Sequence, residues 1–398
     1  MFDSLQALPA DPILGLMQLY RNDAHPQKVD LGVGVYKNDA GQTPVMAAVK
    51  AAEVQLLAQQ NSKTYVGPAG NEAFVALMKQ LTFGECLSSV DDRLAAVQTP
   101  GGCGALKVAA ELIKTASPTA AIWVSSPTWG NHIPLLGNAG LQLREYPYLS
   151  QCQTQLDWPA MQAAMDQVKA GDVVLLHGSC HNPTGVDLTL AQWQWLADKA
   201  LEKGFIPFVD MAYQGFGDGI EEDAAGLRYM ASVLPELLLA VSCSKNFGLY
   251  RERVGMVVAM CPSGGASVAA TTHMLSIVRG IYSMPPDHGA AIVAHLLANG
   301  ALANEWRAEL DSMRLRIQQL RCQFADTMAA LGYPEFQFVA NQKGMFSYLG
   351  ISQPQVTWLA EQKSIYLLSS SRASIAGLSR DNLDYVCHSL AQSITVAG

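Results

Sequence analysis

Six short runs rich in branched and apolar residues, at 94–98, 120–124, 173–177, 205–209, 237–241 and 254–260, recur through the middle of the chain with helical patterns between them. Alternation of this kind predicts an α/β fold with a mixed, mostly parallel sheet flanked by helices. One of the intervening helices has clear ends. Thr189-x-x-Gln192 reads as a capping box and Gly204 as a stop, so 189–203 is helical. Further on, Leu302, Trp306, Leu310, Met313, Ile317, Leu320, Phe324 and Met328 follow spacings of three and four, which marks one side of a long amphipathic helix. Such a stripe is core packing. Its length predicts a connecting helix that leaves a large domain and enters a smaller α+β unit, in which 335–349 reads as strand.

Composition narrows the function. At 398 residues and 49% hydrophobic, the chain has material for one large domain with a smaller one appended. A formal charge of −8 and the lack of any Lys/Arg cluster argue against a nucleic-acid partner, leaving small molecules. The start, Met1-Phe2-Asp3-Ser4-Leu5, has no lysine or arginine before Arg21 and does not fit a secretory signal, and no apolar run approaches a membrane span. A cytoplasmic protein that binds no membrane is expected. The eight cysteines include no Cys-x-x-Cys pair and read as reduced thiols. His177, Cys180 and His181 lie close together, but no fourth ligand is evident and the adjoining Asn-Pro-Thr-Gly suggests another role, so no metal is expected.

Open α/β sheets bind ligands at the carboxyl ends of their strands, and the residues just beyond each predicted strand make a chemically coherent set. Lys245 comes soon after the apolar run 237–241, where lost hydration would lower its pKa and free a nucleophilic amine. Ser242, Ser244 and Arg253 supply hydroxyls and a guanidinium for an anion beside that amine, which suggests a phosphorylated aldehyde. After 94–98 comes Thr99-Pro100-Gly101-Gly102-Cys103-Gly104, a glycine-rich turn opening a helix; it suits a phosphate, although alone it reads more readily as a simple tight turn. Trp129, after 120–124, is placed to cover an aromatic ring or simply to pack. Asn182, after 173–177, offers an amide to a ring oxygen or to its own backbone. Asp210, after 205–209, ends a buried strand and needs a cation or strong donor; a protonated pyridine nitrogen, as in pyridoxal phosphate, would satisfy it, as would a structural ion pair.

With these residues assembled, the whole chain resembles the aspartate and aromatic-amino-acid aminotransferases, fold-type I enzymes that use pyridoxal 5'-phosphate and act as homodimers. The resemblance rests on Leu31-Gly32-Val33-Gly34-Val35-Tyr36-Lys37, Pro127-Thr128-Trp129-Gly130-Asn131-His132, His181-Asn182-Pro183-Thr184-Gly185, Asp210-Met211-Ala212-Tyr213-Gln214-Gly215-Phe216, the lysine run through Arg253, Val278-Arg279-Gly280-Ile281-Tyr282, and Ser371-Arg372. It implies that Lys245 bonds the cofactor covalently and later carries a proton to and from the substrate α-carbon. It implies too that Asp210 holds the pyridine nitrogen protonated, that Tyr213 and Asn182 bond the ring's phenolic oxygen, and that Trp129 lies against the ring. Gly102, Cys103, Ser242, Ser244 and Arg253 would surround the phosphate, with Tyr65 reaching in from the other subunit. Arg372 would grip the substrate α-carboxylate where Gly34 leaves room, and the partner's Arg279 would meet a distal carboxylate. The expected division is an arm at 1–10, a small domain of 11–43 and 312–398, and a large cofactor domain at 44–311.

Departures from the family's pattern bear on the substrate. Cys103 stands where these enzymes usually carry a small hydroxyl residue, and Gly280, Ile281 and Met284 are small or apolar where aspartate-specialised members are polar. Val35, Lys37 and Thr43 match the aspartate-like pattern. The expectation is amino transfer between aspartate or an aromatic amino acid and 2-oxoglutarate by a ping-pong route, the alternative being an aspartate-specific enzyme. A nicotinamide-dependent dehydrogenase is a distant third, because Gly101-Gly102-Cys103-Gly104 does not fit Gly-x-Gly-x-x-Gly.

Overall fold

A computed structural model describes residues 2–7, 11–150 and 154–396. Among the described residues there are eleven strands: β1 Val29–Asp30, β2 Leu94–Pro100, β3 Ala121–Ser126, β4 Gln142–Pro147, β5 Val173–His177, β6 Ile206–Met211, β7 Leu237–Ser242, β8 Val254–Met260, β9 Phe346–Tyr348, β10 Ile365–Tyr366 and β11 Arg372–Ser374. Seven of them form the central sheet, in the order β2-β8-β7-β6-β5-β3-β4. All run parallel except β8, which is antiparallel to both of its neighbours. Strands β5 to β8 are buried along almost their whole length, which is why they read as continuous apolar runs rather than alternating ones.

The six expected strands are all present, displaced by at most two residues at an end. Strand β4 escaped the sequence reading because it is the sheet's edge: of Gln142–Pro147 only Tyr146 is buried, so no apolar run announces it. The reading of 335–349 as strand is corrected. Pro334–Gln337 is a 3-10 turn, Phe338–Asn341 a short helix, and only Phe346–Tyr348 is extended. The buried Phe336 and Val339 lie three apart, a helical spacing, and Gly344 at φ +74° breaks the chain before β9. Of the expected arm, residues 1 and 8–10 lie outside the described residues, and so does Cys152. The seven described cysteines are free thiols.

Helix Leu190–Lys203 begins at the expected capping box, with Thr189 Oγ1 accepting the Gln192 N–H and Gln192 Oε1 accepting the Thr189 N–H. It ends at Gly204 with φ +75°, in the left-handed region that glycine tolerates. The stripe from Leu302 to Met328 lies on the 31-residue helix Gly300–Ala330, and all eight of its members are buried. Among them Trp306 stacks on Phe247, with ring centroids 4.5 Å apart, and donates its indole N–H to the Asn246 carbonyl at 2.7 Å. The long helix is thereby fastened to the segment that carries Lys245. Trp306→Ala should destabilise the fold by about 3–5 kcal/mol in urea unfolding at constant protein concentration, since it opens a cavity and orphans a carbonyl. A loss under about 1 kcal/mol would show that the helix is not fastened there.

Arg321, on the same helix, is fully buried without a carboxylate. It donates instead to the carbonyls of Val339, Lys343, Gly344 and Phe346 and to Ser347 Oγ, and burial lowers its pKa to about 10. The chain from 339 to 347 thus wraps one guanidinium, which fixes where Phe346 points. Two small sheets complete this end of the molecule: β1 pairs parallel with β10, and β9 pairs antiparallel with β11.

Candidate active site

The reversed direction of β8 shapes the site. Its first residues pair with the last ones of its neighbours, Val254 with Pro100 and Gly255 with Ser242, so Arg253 emerges at the edge where the parallel strands end. At that edge lies a cavity of ≈ 270 Å³. Every residue expected at the site lines it except Tyr65 and Arg279. Ile13, Leu106, His177, Ala212, Tyr250 and Phe346 line it too and were not anticipated as site residues; apart from His177 beside the Asn-Pro-Thr-Gly turn, no local signal marks them.

One end of the cavity is a cradle of donors. Helix Gly101–Ala116 opens there, so its first N–H groups and its dipole face the space. Arg253, at φ +55°, donates to the Tyr250 carbonyl at 2.9 Å and to Ser244 Oγ at 3.4 Å. Ser242 Oγ lies 3.1 Å from Ser244 Oγ and accepts the Ser244 N–H at 3.3 Å. Gly101 has φ +68°, and a Cβ there would fall 2.4 Å from an Arg253 guanidinium nitrogen, so the cradle closes only around glycine. Cys103 Sγ sits beside it, 3.8 Å from the Asn131 amide nitrogen.

In the middle stands Lys245. Its Nζ lies 4.8 Å from the centroid of the Tyr213 ring, and burial lowers its pKa, opposed by the charge of Asp210. Tyr213 accepts a hydrogen bond from the Asn182 amide at 3.4 Å, and burial raises the pKa of its hydroxyl. On the floor, burial works to raise the pKa of Asp210, but the hydrogen bond from His132 and the electrostatic pull of His132, His177 and Lys245 outweigh it and hold the carboxyl below its usual range.

The hydrogen bonds behind Asp210 run in one sense, because they start at a backbone donor. Asn182 N–H donates to His177 Nδ1 at 3.4 Å, so His177 Nε2–H donates to Thr128 Oγ1 at 3.1 Å. The Thr128 hydroxyl then donates to His132 Nδ1 at 2.8 Å, and His132 Nε2–H donates to Asp210 Oδ2 at 3.2 Å. Burial lowers the His177 pKa to about 3, consistent with its neutral part in this chain. Trp129 meets the His132 ring edge to face at 5.2 Å. His181, the other histidine of this turn, bonds Ser125 Oγ and Thr184 Oγ1 at 2.9 Å each. Among the described residues no group of three or more His, Cys, Asp or Glu is placed to hold a metal ion.

The far end belongs to Arg372, on β11. Its Nη2 donates to the Gly32 carbonyl at 2.6 Å, Nη1 reaches Asn182 Oδ1 at 3.5 Å, and its guanidinium lies 4.3 Å from the centre of the Phe346 ring. The buried Nε has no partner among the described residues, so one donor of a charged group stands ready for an anion. Gly34 is needed as glycine, since a Cβ would come 2.7 Å from Phe346 Cζ. Tyr65 and Arg279 lie elsewhere. They share a separate surface hollow of ≈ 330 Å³ with Gly67, Pro68, Ser283 and Met284, and Tyr65 is 92% exposed.

Comparison with known proteins decides what this geometry serves. The model of the family described as aminotransferase class I and II matches residues 26–390. The chain belongs to that family. It is 45% identical over 392 residues to an aspartate aminotransferase of Salmonella typhi, covering 98% of this chain and 99% of the relative. It is 43% identical to an aromatic-amino-acid aminotransferase of Pseudomonas aeruginosa, covering 98% of each. A solved aromatic-amino-acid aminotransferase of Burkholderia pseudomallei, covalently bound to pyridoxal phosphate, superposes with a TM-score of 0.96 at 37% identity over 99% of both chains. The protein is therefore an aminotransferase of fold type I, and pyridoxal phosphate is the cofactor of its family. The cavity suits that group: a donor cradle for a phosphate, an amine for an aldehyde, and a carboxylate for a pyridine nitrogen stand in one space.

Proposed function

We propose that this aminotransferase exchanges the amino group of aspartate or an aromatic amino acid with 2-oxoglutarate, in two half-reactions, at sites completed by a second copy of the chain. The observation that carries the reading is what one cavity brings together: donors for an anion, a buried amine under the influence of a buried carboxylate, and an arginine with a free donor. Pyridoxal phosphate, when bound, supplies an aldehyde that condenses with amines and a ring that draws electrons from the adjoining carbon. Ser242, Ser244, Arg253 and the N–H groups at Gly102 would hold its phosphate, with the Cys103 thiol a weaker donor than a hydroxyl. Asp210 would keep the ring nitrogen protonated, Tyr213 and Asn182 would donate to the ring oxygen, and Trp129 would cover one face. Lys245 Nζ would take the proton from the substrate α-carbon and return it on the other side of the reaction. Arg372 would receive the α-carboxylate through parallel hydrogen bonds while Gly34 leaves room.

The hollow that joins Tyr65 to Arg279 supports a symmetric dimer in which each copy offers both residues to its partner's cavity. A cytoplasmic location fits the composition, and among the described residues no helix is long and apolar enough to cross a membrane. We assign the arm to 1–10, the small domain to 11–43 and 312–398, and the large domain to 44–311, with the long helix passing between them.

Dual specificity rests on what surrounds Arg279. Ile281 is exposed, and nothing lies within 4 Å of where a Gly280 Cβ would be, so an apolar side chain has space beside the guanidinium. Steady-state rates with aspartate, phenylalanine and tyrosine, each with 2-oxoglutarate, test it: activity is expected with all three, and background rates with both aromatics would leave an aspartate-specific enzyme. Arg279→Leu should lower kcat/KM for aspartate about 100-fold, by leaving a carboxylate unpaired, while changing phenylalanine less than about threefold. Equal losses would remove the distal-carboxylate role.

A further inference from the structure

Asn182 reaches the cavity from a turn that no strand pairing shapes, and the group that shapes it lies outside the cavity. The Asp187 carboxylate spans two successive N–H groups: Oδ2 accepts from Cys180 at 2.7 Å and Oδ1 from His181 at 2.8 Å. Cys180 has φ +52°, a left-handed conformation rare for a residue with a side chain, so the turn needs an external hold. It is also packed against the loop that carries Phe346: Lys343 N–H donates to the Gly185 carbonyl at 2.7 Å, and a Cβ on Gly344 would fall 2.4 Å from Cys180 Cβ. The next residue is Asn182, whose amide bridges Tyr213 and Arg372.

We propose that Asp187 is a positioning residue for amino transfer: by accepting the Cys180 and His181 N–H groups it keeps the Asn182 amide on Tyr213 and Arg372. The inference rests on the aminotransferase reading of the cavity.

The hold depends on charge, because an ionised carboxylate offers both oxygens as acceptors and a protonated one turns half of itself into a donor. Around it stand Asp223 of the turn Glu222–Ala224, Lys343 with its partner Asp218, Arg321 of the long helix, the Tyr148 hydroxyl and the Cys180 thiol; Glu222 lines the same hollow. Burial pushes the Asp187 carboxyl up to about 6, helped by Asp223 and opposed by its two backbone donors and Lys343. The turn is therefore fully held above that pH and is released as the pH falls through it.

The test uses the holoenzyme and succinate as a dicarboxylate probe, with binding measured by calorimetry beside steady-state rates. Asp187→Asn should weaken succinate binding and lower kcat/KM about tenfold at pH 8, and the difference from wild type should vanish by about pH 5. On an Asn182→Ala background the same substitution should change succinate binding less than about twofold. No loss at pH 8, a loss equal at both pH values, or a tenfold loss that persists without Asn182 would each overturn the proposal. If Asp187→Asn folds poorly, Asp187→Glu replaces it: its displaced but ionisable acceptor should lower the plateau at pH 8 and keep the acid limb, and an unchanged plateau overturns the proposal equally. A wild-type protein that neither binds pyridoxal phosphate nor transfers amino groups would instead sink the underlying reading, which is a separate result.

Discussion

Lys245→Ala protein should fold as wild type does and yet lose transamination by at least about 10⁴-fold, because in the proposed reaction one atom supplies both the nucleophile and the proton carrier. The geometry makes the loss hard to compensate. No other described lysine lines the cavity; its other titratable groups are the Asp210 carboxyl, the Tyr213 and Tyr250 phenols, both with raised pKa, the Cys103 thiol, His177 and two arginines. Burial already lowers the pKa of Lys245, which favours the neutral, nucleophilic form of its amine. Two measurements separate chemistry from folding. Borohydride treatment should fix pyridoxal phosphate to the wild type, read as a mass increase, and leave the variant unmodified, while the thermal midpoints stay within a few degrees. Turnover within tenfold of wild type would remove Lys245 from the reaction.

Asp210→Ala comes second, with an expected fall in kcat of about 10³-fold. The carboxylate lies at the bottom of the site on β6, and its partner His132 is itself held by Thr128 and His177. That arrangement keeps a negative charge where burial alone would neutralise it. A held charge of this kind favours a proton on a facing ring nitrogen, and with it the electron withdrawal that removal of the α-proton requires. The pH dependence has a definite sign: the Asp210 pKa is lowered, so its charge persists to pH values below the ordinary carboxylate range and is lost only beneath them. Asp210→Asn should be nearly as slow as the alanine variant, since it keeps the shape and loses the charge. A deuterium isotope effect at the substrate α-carbon should grow in both variants; if rate and isotope effect match wild type, Asp210 is a structural acid only.

Much of this site was legible in the sequence because its residues come directly after buried strands. The runs 173–177 and 237–241 are apolar enough to be seen, and the residues just beyond such a run emerge at the sheet edge, which is how Asn182 and Lys245 were found. Strand β4 and the segment 335–349 were not read correctly, and for opposite reasons: an edge strand has too few buried positions to show a period, whereas Phe336 and Val339 give only a single helical spacing, too short a signal to set against the apolar residues around it. Thr128 and His132 lie four apart in one segment, but their link to His177 crosses to the end of β5, and no spacing within one segment carries that information. Phe346 entered the cavity because Arg321, 25 residues earlier in the chain, gathers the carbonyls around it. Resemblance supplied Tyr65 and Arg279; nothing about either residue alone predicted that they share a hollow away from the cavity.

The antiparallel run of β8 has a mechanical meaning. Lys245 and Arg253 lie on one short excursion whose two ends, Ser242 and Val254, are stitched into adjacent strands of the same sheet, with Trp306 braced against its middle. In the proposed reaction the covalent anchor and the electrostatic anchor of the cofactor would thus be mounted on a single rigid bracket. Arg372 is mounted on a different sheet. With Arg372 as the proposed substrate grip, changes in how the substrate is grasped, whether by movement during turnover or by substitutions over evolutionary time, would accumulate on its side without disturbing the distance between amine and phosphate, and this separation would let one chemical engine accept more than one amino acid.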